Sequence, residues 1–356
     1  MEAVIVAGGV GSRLRPLTQF TPKHLLPVAG VPFAEHQVAR LAAAGVARVV
    51  MATSYHADAF RPVLGDGDRW GVTLVYVREP TPLGTGGAIR NVADALTSGP
   101  DEPVLVLNGD ILSDSDLTAQ LARHAEASAD VTLHLVEVAD ARPFGCVPTD
   151  SIGRVTAFVE KSPHPVSRQV NAGCYVFRRR VIDAIPAGAV VSVERETFPG
   201  LVAAGRSVVG YLHGGYWLDV GTPQALVLAS ADVVLGVVGS AAYPHPPAEH
   251  RVADDAEVAR SATLSHGTSV GPGALVGPGA EVAGSVLCAG AVVERGAVVT
   301  DSVIGRGARV GAATVLRGSF LGDRSVVGAG CELVGGARVW GDQVIAPGAV
   351  RFTPDG

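Results

Sequence analysis

The sequence predicts an α/β chain, a Rossmann-like domain over residues 1–238 followed by a β-helix over residues 256–351. Three observations predict this. An unbroken apolar run, residues 3–7, opens the chain as a strand of the kind buried on both faces of a parallel sheet. Segments of helical and strand period then alternate as far as about residue 238. Beyond residue 256 the apolar positions recur every six residues, a period that suits neither a helix nor an ordinary strand.

The first strand runs into Gly8, Gly9 and Gly11, where missing side chains let backbone N–H groups converge on phosphate oxygens, and Ser12 adds a hydroxyl donor. Arg13, Arg15 and Lys23 follow, supplying fixed positive charge for a triphosphate and a second phosphate. Residues 34–44 have helical spacing and stop at Gly45; 48–53 and 73–77 read as strands, 87–96 as a helix and 104–107 as a strand. Ligands of such sheets bind at the carboxyl ends of the strands, where Asn108, Gly109 and Asp110 also fall. Residues 239–255, GSAAYPHPPAEHRVADD, read as a linker. From Val258 the apolar series runs through Leu264, Val270, Val276 and Val282, then on to Ile345. Its steps shorten to five residues at Val282 to Leu287, Val299 to Ile304 and Leu316 to Leu321, which predicts tighter corners there.

At 356 residues, 47% hydrophobic and 17% charged, the chain has material for two full cores. A net charge of −6 gives no reason to expect nucleic acid or an anionic membrane, so phosphate binding must come from local cations and backbone dipoles. Cys146, Cys174, Cys288 and Cys331 show no CxxC spacing and read as buried thiols in a reducing compartment. No basic, apolar and cleavable leader precedes the first strand, and the apolar stretch 225–238 is interrupted by Ser230 and Asp232, so a cytoplasmic location is expected. The glycine spacing is wrong for a dinucleotide fingerprint, and no GKS or GKT closes the run as a Walker loop requires.

The string from Ala7 to Val28, AGGVGSRLRPLTQFTPKHLLPV, resembles the signature of the sugar-1-phosphate nucleotidyltransferases. The resemblance implies a nucleotidyltransferase domain, a left-handed hexapeptide β-helix behind it, and transfer of a nucleotidyl group from a nucleoside triphosphate to a sugar 1-phosphate with release of pyrophosphate. It implies nucleotide contacts from Ala7, Gly8, Gly9, Gly11 and Ser12, with Arg13 and Lys23 as the catalytic cations. Residues 79–90, EPTPLGTGGAIR, resemble the base-reading loop, so Leu83, Gly84 and Thr85 are expected to meet the base; read alone, Thr85 is just a helix N-cap. The LGTGG form is similar to that of guanylyl and uridylyl members, which points to GTP. Asp110, closing a buried strand, suits a Mg²⁺ ligand, and the resemblance pairs it with Asp219 of YWLDVGTP on the same ion. An aspartate inside an apolar strand needs a cation near it, since burying even a neutral polar group unpaired costs roughly 2 to 7 kcal/mol.

Three further patches resemble the acceptor side: FGCVPTD with Gly145, VEK with Glu160 and Lys161, and NAGCYVF with Asn171. Each alone also reads as a strand end or a solvated charge pair. SVERETFP with YWLDVGTP is most similar to the mannose-1-phosphate guanylyltransferases of actinobacteria. The chain departs from that group at Val10, where Lys is frequent, and at His24 and Ser162, where Pro is frequent. Those departures flank the acceptor phosphate, and they keep a guanylyltransferase for valienol 1-phosphate in a C7-cyclitol antibiotic pathway open beside mannose 1-phosphate. A catalytically silent regulatory subunit is the alternative of another class; the retained Arg13, Lys23, Asp110 and Asp219 argue against it. An acyltransferase reading of the β-helix would want a histidine base beside a groove. His266 alone lies within the coils and no long loop interrupts them, so the prism reads as an assembly domain and the chain as a homo-oligomer.

Overall fold

In a computed structural model of the protein, which describes residues 1–54 and 56–351, the chain divides into two compact units. Residues 1–9 and 37–217 form the first; residues 10–36 and those from 218 onward form the second.

The first unit is built on a nine-stranded mixed sheet. Its central strand, Glu2–Ala7, lies parallel between Arg48–Thr53 and Pro103–Asn108, with Thr73–Arg78 beyond Arg48–Thr53. Five of the six residues of the central strand are buried, as its unbroken apolar run requires. Register sets Ala7 opposite Thr53 and Val6 opposite Asn108, so these strands end level. Gly8 and Gly9 therefore emerge at the same edge as Gly109 and Asp110, and the Gly109 amide donates to the Val6 carbonyl over 3.0 Å. On the other flank Pro103–Asn108 pairs antiparallel with the long strand Gln169–Arg178, which also carries Gly145–Cys146 and Val131–Glu137. Tyr175 and Phe177 from that strand pack on Phe198, with ring centroids 5.1 and 5.9 Å apart, at the centre of the core.

The strands at 48–53, 73–77 and 104–107 appear within a residue or so of their expected bounds, and the first expected helix is Phe33–Ala43. The second is displaced. It spans Gly84–Asn91 and is followed by a separate 3-10 turn at Ala93–Ala95. It starts early because the Gly86 and Gly87 amides, orphan donors of a first helical turn, both find the Val191 carbonyl, at 2.8 and 3.2 Å.

In the second unit three parallel sheets of six, six and five strands stack as a β-helix. Val270, Leu287, Ile304 and Leu321 align up one face, Val276, Val293, Val310 and Val327 up the next, and Val282, Val299 and Leu316 up the third. All point into one apolar core. The five-residue steps turn through a single left-handed residue, Gly284, Asp301 or Gly318. The six-residue steps at the same corner use two, His266 with Gly267 and Gly335 with Gly336. Buried serines line the tight corners: Ser285 Oγ accepts from Ser302 N at 3.1 Å, and Ser302 Oγ from Ser319 N at 3.0 Å. The proline-rich stretch 239–255 contains the first strand of this body, His250–Val252.

One face of the prism is covered from outside. Its outward residues Val286, Val303 and Phe320 are buried, and the helix Pro223–Leu235 packs there with Ser230 Oγ 3.1 Å from Ser269 Oγ. The N-terminal segment joins it: Ala29 N donates to Ser230 Oγ over 2.9 Å, and Gly341 N donates to the Gln19 side chain over 3.0 Å. All four cysteines are buried free thiols. Among the described residues no helix is long and apolar enough to cross a membrane.

His134, in the strand Val131–Glu137, is fully buried, and neither ring nitrogen has a hydrogen-bond partner among the described residues. Burial, reinforced by the charges of Arg40 and His213, pushes its pKa from 6.5 down to about 3. Between those values the unfolded chain binds the extra proton, so this residue's contribution to stability is present above pH 6.5 and drains away as pH falls. His134→Phe should therefore gain about 2 kcal/mol on the wild type when urea unfolding is moved from pH 8 to pH 5. An equal difference at both pH values counts against a neutral buried His134.

Candidate active site

Each unit carries its own set of the expected site residues. Ala7, Gly8, Gly9, Leu83, Gly84, Thr85, Asp110, Gly145, Glu160, Lys161 and Asn171 belong to the first; Gly11, Ser12, Arg13, Lys23 and Asp219 belong to the second.

In the first unit, Gly8 is glycine for a reason the sequence reading missed. A Cβ there would run into Oε1 of Glu79, a carboxylate 5% exposed that also accepts the Leu83 amide at 2.9 Å. Burial raises the Glu79 pKa, and the Leu83 hydrogen bond opposes the rise. Glu79 thus stands between Gly8, against which it packs, and Leu83, to which it is hydrogen-bonded. Its signal was in the sequence, as an acid directly after the Thr73–Arg78 strand. Thr85 is not the N-cap of its helix. Its hydroxyl donates to Glu194 Oε2 at 2.7 Å and accepts the Val193 amide at 3.0 Å. Ser192 donates to the same carboxylate oxygen at 2.8 Å.

The three patches expected on the acceptor side lie on neighbouring strands. Glu160 faces Gly145 across an antiparallel pair, and a Cβ on Gly145 would lie 2.7 Å from Glu160 Oε2. Lys161 Nζ pairs with Glu160 Oε1 at 3.6 Å, and its side chain is 63% exposed. Asn171 is braced at both ends: its Nδ2 donates to the Tyr175 hydroxyl at 2.8 Å, and its Oδ1 accepts the Gly173 amide at 3.1 Å. Tyr175 was not singled out from sequence. Burial first, then the charge of Glu194, hold its hydroxyl protonated far above its ordinary range, so it stays a neutral partner for Asn171. Trp217 donates from Nε1 to the Ala172 carbonyl at 3.0 Å and meets Phe144 edge to face, centroids 5.2 Å apart, beside Gly145. Asp110 is half-buried at the end of Pro103–Asn108.

In the second unit the loop turns at Gly11, whose φ of 66° is left-handed. A Cβ there would also lie 3.0 Å from Thr18 Cγ2 and 3.1 Å from Lys23 Cβ. Thr18 Oγ1 closes the turn by donating to the Gly11 carbonyl at 2.8 Å. The 3-10 turn Ser12–Leu14 follows and exposes Arg13, whose guanidinium is 3.8 Å from Asp219 Oδ2. Gly221, another position unassigned from sequence, makes room for that pair: its Cβ would strike Arg13 Nη2 and lie 2.8 Å from Asp219 Oδ1. Lys23 is half-buried and begins its own 3-10 turn, Lys23–Leu25. His24, beside it, is 1% exposed and belongs to the packing.

Among the described residues no three His, Cys, Asp or Glu side chains assemble as a metal cage. The donors on offer are single carboxylates, which fit a hard cation that takes one or two carboxylates and fills its shell with water and substrate phosphate, and do not fit a self-contained structural centre.

The Nucleotidyl transferase family matches residues 2–234, and the GMPPB C-terminal domain matches residues 248–349. Mannose-1-phosphate guanylyltransferase of Mycobacterium tuberculosis is 48% identical over 356 residues, covering 100% of this chain and 98% of that protein. Mannose-1-phosphate guanylyltransferase 1 of Arabidopsis thaliana is 35% identical over 226 residues, 63% of this chain and 62% of the plant protein. Among solved structures, HddC of Yersinia pseudotuberculosis complexed with GMP-PN aligns with a TM-score of 0.55 at 26% identity, over 64% of this chain and 97% of that one. By these matches the chain belongs to the nucleotidyl transferase family, as a sugar-phosphate nucleotidyltransferase with a GMPPB-type C-terminal domain.

Proposed function

We propose that the protein transfers GMP from GTP to mannose 1-phosphate, forming GDP-mannose and pyrophosphate. The observation that carries this reading is the likeness to the M. tuberculosis guanylyltransferase along the whole chain. In a single in-line displacement an oxygen of the acceptor phosphate attacks the α-phosphorus, the bond from that phosphorus to the β-phosphate bridging oxygen breaks, and pyrophosphate leaves. A phosphate monoester dianion is already nucleophilic, so the protein needs no general base. Its task is to position two anions and to stabilise charge on the five-coordinate phosphorus.

In this reading Arg13 and the amides of Gly8, Gly9, Gly11 and Ser12 hold the β- and γ-phosphates, and Lys23 holds the α-phosphate. Leu83, Gly84 and Thr85 meet the base beside Ala7; the tie from Glu79 to Leu83 and from Thr85 to Glu194 gives that loop a fixed shape. Lys161 takes the acceptor phosphate, while Glu160 and Asn171 bind ring hydroxyls over Gly145. Nucleotidyl transferases of this family generally use a divalent metal. We assign Mg²⁺, held by Asp110 and Asp219, which when bound neutralises charge between the two phosphates. The same reading takes 1–238 as the catalytic domain, 239–255 as the linker and 256–351 as the β-helix, and sets the enzyme in the cytoplasm. It is taken as a homo-oligomer, since apolar Leu275 and Val344 stand 40% and 72% exposed on the β-helix.

The direct test offers the purified chain each nucleoside triphosphate against mannose, glucose and valienol 1-phosphates and measures pyrophosphate release. GTP with mannose 1-phosphate should turn over fastest; a preference for another ring reassigns the acceptor, and no turnover with any pair rejects the reading. Arg13→Ala and Lys23→Ala should each slow turnover by roughly two to three decades, the cost of losing one preorganised donor. Wild-type rates in either variant remove that cation from the reaction. Asp110→Asn should keep the thermal midpoint but shift the Mg²⁺ activation curve to higher concentration, and an unmoved curve takes Asp110 out of the metal site.

A further inference from the structure

The outward ladder of the covered β-helix face runs Val286, Val303, Phe320, Arg338 in register. Its first three members are at most 1% exposed, and a guanidinium then stands where the series calls for another apolar side chain. Arg338 Nη1 donates to two backbone carbonyls, those of Arg13 at 3.0 Å and Arg15 at 2.6 Å. Those carbonyls lie at the end of the Ser12–Leu14 turn, where a short helix leaves C=O groups without partners of its own. A cation bridging two carbonyls two residues apart fixes the peptide planes between them, and therefore the origin of the Arg13 side chain that reaches Asp219.

The rest of the segment is held by the same face. Arg306 donates from Nη2 to Thr21 Oγ1 at 2.6 Å and is itself gripped by Asp323 through Nε and Nη2 at 3.0 and 2.8 Å. The Arg324 guanidinium lies 4.7 Å from the ring centroid of Phe20, and Gly341 N donates to Gln19. The stretch from Arg13 to Thr21, which separates the two cations of the signature, is thus anchored to the prism at several points and at both ends.

We propose that Arg338 is a positioning residue for the triphosphate loop: the β-helix sets the aim of Arg13 through the Arg13 and Arg15 carbonyls, and so contributes to GTP binding without touching it. This rests on the assignment of Arg13 to the triphosphate. It makes the C-terminal body a working part of nucleotide recognition rather than a platform for assembly alone.

The test compares full-length Arg338→Ala, Arg338→Lys and, as a control elsewhere on the prism, Arg309→Ala, which loses only the 3.2 Å exposed pair with Glu294. GTP affinity is measured by titration calorimetry, and KM for each substrate and the thermal midpoint alongside. Arg338→Ala should weaken GTP affinity and raise its KM about tenfold, the scale of losing a charge-assisted hydrogen bond, while KM for mannose 1-phosphate stays within about twofold. Arg338→Lys, whose ammonium still donates to carbonyls, should recover most of the loss, and Arg309→Ala should show none. An unchanged GTP affinity in Arg338→Ala, even with a lowered midpoint, overturns the proposal, as does an equal loss in the control. Should Arg338→Ala not fold, Arg338→Gln must show the same split between the two substrates, and its absence is likewise fatal. A wild type that binds GTP but transfers nothing defeats the catalytic reading and leaves the affinity comparison decisive for Arg338; a wild type that binds no GTP defeats both.

Discussion

The chain must turn at residue 11 while Thr18 and Lys23 press against it, and that one steric demand organises the segment from Gly11 to Lys23. Only a residue without Cβ takes a φ of 66° there at so little cost. From there the Ser12–Leu14 turn projects Arg13 toward Asp219, and the same packing brings the Lys23 stem against the loop. The two cations of the signature are therefore consequences of one turn.

A second regularity concerns glycines that face carboxylates. Gly8 stands against Glu79, Gly145 against Glu160, Gly215 against Asp114 and Gly221 against Asp219, each so close that a Cβ would collide or crowd. Glycine-rich loops are usually explained by the approach of phosphate to backbone. Here several of the glycines equally admit an acid from the protein itself. Such acids brace loops: Glu79 accepts Leu83 N, and Glu194 gathers Thr85 and Ser192. An enzyme that must bind two polyanions thus keeps its own negative charge hydrogen-bonded or beside a cation, where it does not repel them.

The β-helix solves a different problem. A prism of parallel rungs offers three flat faces, and two of its corners repeat every six residues, while the third takes five residues in three successive coils, with one left-handed residue, and six in the coils before and after them, with two. Shortening a corner leaves amides without partners, and the buried Ser285 and Ser302 hydroxyls take them up. On one face, burial of Val286, Val303 and Phe320 beneath other parts of the same unit converts a repeating scaffold into a support for a particular loop.

Much of this was legible in the amino-acid order. The six-residue period, the three short steps and the apolar first strand depend on local spacing, so they could be read without tertiary knowledge and appear as expected. Arg13, Lys23, Asp110 and the patches at Gly145, Glu160 and Asn171 were singled out through their resemblance to a family signature, and their roles stay with the proposed function. Glu194, Tyr175, Gly221 and Arg338 were not singled out. Glu194, Gly221 and Arg338 act through partners far along the chain, Thr85 for the first and Arg13 for the other two, and long-range pairing leaves no periodic trace. The same limit explains the helix that begins at Gly84: its first amides are satisfied by Val191, a carbonyl more than a hundred residues away, which only the folded chain supplies.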